Sequence, residues 1–158
     1  MNRDIISSIV YDPLVTIIIP SYNHCNYIDD AINSVIRQTY ERWELIVIDD
    51  GSTDGSKDLL SKYKKHEKIR IIFNKENKGQ GHVLNRALDI SNGEFVGFLP
   101  SDDWILPNKL RSQIGKFSNS SQRVGVVYGR GARFFEKDGR IEEPSLNMYR
   151  GQILEKII

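Results

Sequence analysis

A chain of 158 residues with 39% hydrophobic and 27% charged residues has the composition of one globular domain, long enough to bury a core. Its formal net charge of +1 excludes a general attraction to nucleic acid, and its single cysteine excludes an internal disulfide. The sequence has no apolar stretch of membrane-spanning length and no secretory apolar segment near its start, so we expect a cytoplasmic protein.

Strands and helices alternate along most of the chain. Runs of β-branched residues indicate strands, and apolar residues at intervals of three and four indicate helices. The predicted strands cover residues 15–19, 43–48, 69–73, 94–99 and 124–128. The predicted helices lie at about 27–38, near 56–64, around 84–88 and around 110–117. We expect Asn92-Gly93 to close the third helix through a residue with positive φ. Such alternation favours a mainly parallel α/β sheet with helices on both faces.

The pattern changes after residue 130. Residues 133–135 and 140–141 flank the turn sequence Lys137-Asp138-Gly139, which predicts a β-hairpin. Another amphipathic helix begins at Ile153 and is not completed by Ile158. We therefore expect the native protein to continue past Ile158.

Residues suited to ligand binding follow the predicted strands at their carboxyl ends. Pro-Ser-Tyr-Asn at 20–23 follows the first strand, Asp-Asp-Gly-Ser at 49–52 the second, and Ser-Asp-Asp at 101–103 the fourth. Asn-Lys-Gly-Gln-Gly at 77–81 precedes the third helix. Parallel topology brings these four segments, here called the rim, to the edge where open α/β sheets bind ligands. An aromatic ring, carboxylates and a glycine-rich helix start predict a nucleotide site.

The adjacent carboxylates Asp102 and Asp103 repel each other unless a positive group lies beside them. A divalent cation that carries a phosphate would relieve the repulsion, whereas the alternative is a solvated turn. The usual nucleotide motifs are missing, because Leu84 stands where a dinucleotide fingerprint needs its third glycine. Gly79 and Gly81 alone also fit a plain flexible loop.

The order of the four rim segments resembles the family 2 glycosyltransferases, which are inverting, metal-dependent enzymes of the GT-A fold. The resemblance runs from about Pro13 to about Phe135. It implies one GT-A domain over 1–158, with a core at 13–135 and an incomplete acceptor-side region at 136–158. It also implies transfer of a sugar from a nucleotide-sugar donor, expected to be a UDP-sugar, to a hydroxyl of a glycan or lipid-linked acceptor in polysaccharide biosynthesis.

The resemblance also implies residue roles at the nucleoside end of the donor. Pro20, Tyr22 and Asn23 would line the nucleobase and ribose pocket, with Tyr22 packing on the base. Asp50 would accept a hydrogen bond from the base N–H, whereas Asp49 would instead orient the loop.

At the diphosphate end, the resemblance implies that Asp103 coordinates Mn²⁺ or Mg²⁺. Asp102 would contact the ribose or a water of the metal, and it counts both as a donor-binding residue and as a metal ligand. Gly51, Lys78 and Gly79 complete the expected donor site, with Lys78 near the diphosphate. Two histidines close to the rim, His24 and His82, are interpreted as incidental.

An inverting transfer also needs a general base that deprotonates the acceptor hydroxyl. The resemblance places this base in a later segment, so we expect it beyond Ile158. The carboxylates near the end of the chain, Glu142, Glu143 and Glu155, lie in no motif resembling that of the base. We therefore expect no sugar transfer by these residues alone, and exposed apolar surface that favours a homodimer.

Two other functions stay open. The chain would be a non-catalytic nucleotide-sugar-binding or regulatory module if no general base belongs to it. A sugar nucleotidyltransferase is a weaker alternative, because it should carry a basic, glycine-rich segment where Pro20 to Asn23 stand. A lipid-linked acceptor would also place the full-length enzyme at the periphery of a membrane.

Overall fold

The structure is a computed structural model that describes residues 11–119, 124–129 and 131–143. The strands are β1 (Val15–Ser21), β2 (Trp43–Asp49), β3 (Ile69–Phe73), β4 (Phe95–Phe98), β5 (Arg133–Phe135) and β6 (Arg140–Glu142). The helices are α1 (Ile28–Ile36), α2 (Ser56–Ser61), α3 (Gln80–Asp89) and α4 (Lys109–Ser118), with a 3-10 turn at Lys62–Lys65 after α2. None of the helices within these ranges is long and apolar enough to cross a bilayer.

The chain divides into two compact units between residues 127 and 128. The first contains a four-stranded sheet in the order β3-β2-β1-β4, with every neighbouring pair parallel. Helices α1, α2 and α4 cover one face of the sheet and α3 covers the other, which confirms the predicted architecture.

The burial of the two central strands explains their sequences. Alternate side chains of β1 point to opposite faces, so Ile17 and Ile19 contact one helical layer while Ile18 contacts the other. All three are at most 2% exposed. Continuous β-branched runs are typical of parallel strands covered on both faces.

The second unit contains the predicted hairpin. Strands β5 and β6 pair antiparallel, with Phe134 opposite Ile141, and Gly139 adopts φ +69° in the turn between them. The predicted helix from Ile153 lies outside the described residues.

The predicted fifth strand at 124–128 is wrong. Within the described part of the chain, residues 124–129 form no strand, and Val126 is 70% exposed. A run of β-branched residues becomes a strand only where a partner strand accepts its backbone hydrogen bonds, and none is paired with this run.

The predicted helix closure at Asn92-Gly93 is also wrong. Helix α3 ends at Asp89, and neither residue of this pair has a positive φ. Gly93 instead lies against β1, where its N–H donates to Thr16 Oγ1 over 2.9 Å. A Cβ at this position would lie 2.5 Å from the backbone nitrogen of Thr16. Close approach of two backbones therefore explains this glycine.

The contact at Gly93 leads to a stability prediction. Gly93→Ala is expected to lower the free energy of unfolding by about 2–3 kcal/mol, because the added methyl overlaps the backbone of Thr16. Gly115→Ala is the matched control, since that glycine lies in α4 and a methyl added to it would meet no neighbouring atom within 4 Å. The control should gain about 0.5–1 kcal/mol from helix propensity. Urea unfolding measures both, and equal midpoints for the two variants would refute the packing explanation.

Candidate functional site

Hydrogen bonds between neighbouring backbones align the carboxyl ends of the strands. Asp50 N donates to Ser21 O and Asn74 N donates to Asp49 O, each over 2.8 Å. Leu99 N donates to Ile18 O over 3.0 Å, which brings the segment after β4 to the same edge. The predicted rim is therefore present.

The loops of the rim enclose a cleft of about 380 Å³. This is within the range of small-molecule sites, which is roughly 300–1,000 Å³. The lining residues come from the end of β1, the loops that follow β1, β2 and β4, the segment before α3 and the first turn of α3: Pro20, Ser21, Tyr22, His24, Asp50, Asn77, Gln80, Val83, Pro100, Ser101 and Asp102.

Asp50 connects β2 to the segment before α3. The residue is 4% exposed, and its carboxylate accepts hydrogen bonds from Asn74 Nδ2 at 2.7 Å, Lys78 N at 3.0 Å and Gly79 N at 2.8 Å. Burial alone would raise the pKa of Asp50, but these donors hold the pKa below its usual value. Asp50 is therefore an ionised group that fixes the start of α3 beside the cleft.

Asp49 is fully buried at the end of β2 and does not line the cleft. Its Oδ2 accepts a hydrogen bond from Ser52 N over 3.1 Å, which shapes the turn after β2. Its Oδ1 and Ser21 Oγ are buried and have no hydrogen-bond partner among the residues described.

Loop 22–25 is joined to the turn after β2 by three hydrogen bonds. Asn23 adopts φ +52°, its N–H donates to Ser52 Oγ, and its Oδ1 accepts from Thr53 N, both over 2.9 Å. Cys25 N donates to Asp54 Oδ2 over 2.8 Å. Asn23 therefore holds two loops of the rim together, and the neighbouring Tyr22 remains 45% exposed at the cleft.

Asp102 and Asp103 lie in a tight turn, here called the acidic turn, that spans Pro100–Asp103. Asp103 N donates to Pro100 O over 3.1 Å, and Ser101 is 3% exposed while both aspartates are exposed. Partial burial of its carboxylate and the neighbouring charge of Asp102 raise the pKa of Asp103. A cation would relieve this repulsion.

The acidic turn fits a metal that is shared with a ligand. In the described residues, no group of three or more His, Cys, Asp and Glu side chains is placed to hold a metal. Mg²⁺ is usually held by one or two carboxylates together with substrate phosphates, and Mn²⁺ prefers the same oxygen ligands. The donor set of the acidic turn is therefore suited to Mn²⁺ or Mg²⁺ bound with a diphosphate.

The predicted donor-binding residues divide into two groups. Pro20, Tyr22, Asp50 and Asp102 line the cleft. Asn23, Gly51, Lys78 and Gly79 do not line it, and contact of either group with a donor stays a prediction.

Sequence reasoning missed part of the lining. His24, interpreted as incidental, lines the cleft, as does Val83, and so do Gln80 and Ser101, which belong to the predicted rim segments but were given no role. The spacing of Gln80 and Val83 is a usable signal, because residues three apart share a helix face. No sequence signal indicates that His24 reaches Ser101.

Comparison with known proteins identifies the family. The model of the family described as Glycosyl transferase family 2 matches residues 16–157, and the chain belongs to this family. TuaG of Bacillus subtilis, named as a teichuronic acid biosynthesis glycosyltransferase, is 43% identical over 105 residues, which is 66% of this chain. WfgD of Escherichia coli, a UDP-Glc:α-D-GlcNAc-diphosphoundecaprenol β-1,3-glucosyltransferase, is 38% identical over 118 residues, which is 75% of this chain. The chain spans 42% of TuaG and 46% of WfgD.

Solved structures of similar fold confirm the predicted GT-A architecture. TarS of S. aureus superposes on 66% of this chain with a TM-score of 0.61 and 30% identity, and the match covers 19% of TarS. TarS has also been solved with UDP-GlcNAc. The mannosyltransferase PcManGT of Pyrobaculum calidifontis, solved with GDP-Man and Mn²⁺, superposes on 60% of this chain with a TM-score of 0.56 and 29% identity, and the match covers 29% of PcManGT.

Proposed function

We propose that this chain is the donor-binding part of a glycosyltransferase that moves a sugar from a UDP-sugar to a hydroxyl of a glycan or lipid-linked acceptor, with inversion. The observation that carries the proposal is the cleft at the carboxyl ends of the strands, where Tyr22, Asp50 and Asp102 converge. The complex of TarS with UDP-GlcNAc and the UDP-Glc in the name of WfgD support uridine as the nucleoside.

The nucleoside would bind at the end of the cleft formed by β1 and β2. Tyr22 is 45% exposed, which suits stacking of its ring on a base. Asp50 is held ionised by its hydrogen bonds, so it would accept the N–H of uracil without first losing a proton. Stacking together with a fixed anionic acceptor would favour uracil over bases that lack this donor.

The diphosphate would lie between the start of α3 and the acidic turn. The N-terminal N–H groups of α3 attract anions, and Lys78 precedes this helix. Asp102 and Asp103 would hold Mn²⁺ or Mg²⁺ on the other side. When bound, the cation supplies Lewis-acid stabilisation of the diphosphate leaving group. The general base and the acceptor site would come from residues beyond Ile158.

Calorimetric titration with UDP tests the proposal. We expect UDP to bind this chain in Mn²⁺ and much more weakly in EDTA, because the acidic turn and the diphosphate share the cation. Absence of UDP binding in both buffers would contradict the proposal. A transfer assay that compares this chain with a version extended past Ile158 then separates an enzyme from a binding module, since only the enzyme gains activity on extension.

A substitution at Asp50 tests the recognition of the base. Asp50→Asn is expected to weaken UDP binding by about 1–3 kcal/mol, because the new amide cannot accept from every N–H that faces it. The preference for UDP over CDP should fall, and the ratio of affinities in Mn²⁺ and EDTA should stay unchanged. Asp58→Asn, on the exposed surface of α2, is the control. A variant that binds UDP as tightly as the parent would remove Asp50 from the site.

A further inference from the structure

A side-chain hydrogen bond crosses the cleft between two loops that are distant in sequence. His24 Nδ1 and Ser101 Oγ lie 2.7 Å apart, although the residues are separated by 77 positions. We propose that His24 is a positioning residue that fixes the acidic turn relative to loop 22–25, here called the nucleoside loop. The proposal rests on the proposed function of the cleft, and it assigns His24 a role through Ser101 rather than contact with the metal.

The His24 side of this bond is held firmly. Its carbonyl accepts hydrogen bonds from Tyr27 N and Ile28 N, both over 3.0 Å, at the start of α1. The ring of Tyr27 meets the imidazole edge-on, with ring centroids 6.1 Å apart. The neighbours Asn23 and Cys25 are tied to the turn after β2. The imidazole therefore provides a fixed point on the loop that would bind the nucleoside.

Ser101 belongs to the acidic turn, whose carboxylates Asp102 and Asp103 must be held in position to bind a cation. Two hydrogen bonds hold the residues that flank the acidic turn: Leu99 N donates to Ile18 O after β4, and Ile105 N donates to Ser34 Oγ of α1. Between these two anchors, Ser101 is buried against His24 while the carboxylates extend into solvent. The bond therefore limits how far Asp102 and Asp103 shift relative to Tyr22.

This restraint matters because the cation would have to contact the diphosphate and the carboxylates of the acidic turn at the same time. The nucleoside loop sets where a bound diphosphate lies, and the acidic turn sets where the cation lies. Errors of about 1 Å in such geometry cost large factors in affinity or rate. The His24–Ser101 bond should therefore appear as a coupling between Mn²⁺ binding and UDP binding.

Four variants test the proposal: His24→Ala, His24→Asn, Ser101→Ala and the double variant His24→Ala/Ser101→Ala. His24→Asn keeps a polar atom near the position of Nδ1, so it should preserve the bond to Ser101 and behave like the parent. The measured quantity is the gain in UDP affinity that Mn²⁺ produces over EDTA. We expect each alanine variant to reduce this gain by about tenfold, the size of one hydrogen bond. The double variant should reduce it no further, because either single variant already removes the bond.

Hydrogen exchange of the free chain provides a readout that does not depend on ligands. His24→Ala and Ser101→Ala should speed exchange of the Asp103 amide, which donates within the acidic turn, and His24→Asn should restore it. His66→Ala is the control. It also removes an imidazole, but His66 precedes β3 and stacks on Trp43, so it takes no part in the bond to Ser101. This control should leave both the exchange rate of Asp103 and the Mn²⁺ gain as in the parent.

The outcomes separate this proposal from the function on which it rests. If the parent binds no UDP, the proposed function fails, and the exchange data alone decide whether His24 positions the acidic turn. If UDP binds but the alanine variants keep both the Mn²⁺ gain and the slow exchange, His24 has no positioning role. If His24→Ala and His24→Asn lose the gain equally while Ser101→Ala keeps it, His24 acts by direct contact and the proposal is wrong.

Discussion

Asp103→Ala is expected to weaken UDP binding in Mn²⁺ by about ten- to a hundredfold, or roughly 1.5–3 kcal/mol. The raised pKa of Asp103 reflects partial burial and the charge of Asp102, and a cation would turn this unfavourable pairing into a ligand set. Removing the carboxylate of Asp103 deletes a charged ligand and leaves only Asp102 in the acidic turn to attract the metal.

The same titration in EDTA distinguishes loss of the metal from damage to the cleft. We expect Asp103→Ala and the parent to bind UDP equally in EDTA, because Asp103 does not line the cleft. Asp89→Ala, at the exposed end of α3, should match the parent in both buffers. Full Mn²⁺ dependence in Asp103→Ala would show that the cation is held by other groups.

Gly51→Ala is expected to reduce both stability and UDP binding. Gly51 adopts φ +78°, and a Cβ there would lie 2.7 Å from the carbonyl carbon of Glu76. The left-handed backbone costs a non-glycine residue about 1–2 kcal/mol, and overpacking against the backbone costs a further 1–3 kcal/mol or so. The methyl also pushes the turn after β2 away from the segment that Asp50 holds. UDP affinity should therefore fall by about tenfold or more.

Gly55→Ala is a matched control for this effect. Gly55 adopts φ +96°, yet no atom lies within 4 Å of its added Cβ. The control should lose only the backbone component, about 1–2 kcal/mol, and should keep UDP affinity. Thermal or urea unfolding together with the UDP titration measures both quantities. Equal losses in the two variants would show that the contact with Glu76 does not matter.

Much of this fold follows from the local sequence, because a buried parallel strand has a recognisable composition. The run at 15–19 predicts β1 since a strand covered on both faces has no solvent side to alternate with. Asp49 ends one such run and Asp50 follows it, while Asp102-Asp103 comes shortly after the strand sequence at 94–99, which is enough to place both pairs on one rim. Helix bounds are predicted less accurately, with α1 shorter than its prediction at both ends.

Two of the errors share a physical cause, since each concerns a residue whose partner is distant in sequence, and the third concerns a run that has no partner strand. Asn92-Gly93 has the local form of a helix end, but Gly93 is required by the backbone of Thr16, 77 residues earlier. The run at 124–128 has the composition of a strand but no pairing partner within the described residues. The contact of His24 with Ser101 has no local signal either, so the sequence alone favours an incidental histidine.

We propose that the rim of this sheet binds a nucleoside diphosphate together with a divalent cation. A crystal of this chain grown with UDP and Mn²⁺, with anomalous diffraction collected for manganese, shows whether it does. We expect uracil beside Tyr22 and Asp50, and one manganese peak between the diphosphate and the carboxylates of Asp102 and Asp103. UDP bound elsewhere, or a manganese peak remote from the acidic turn, would contradict the claim.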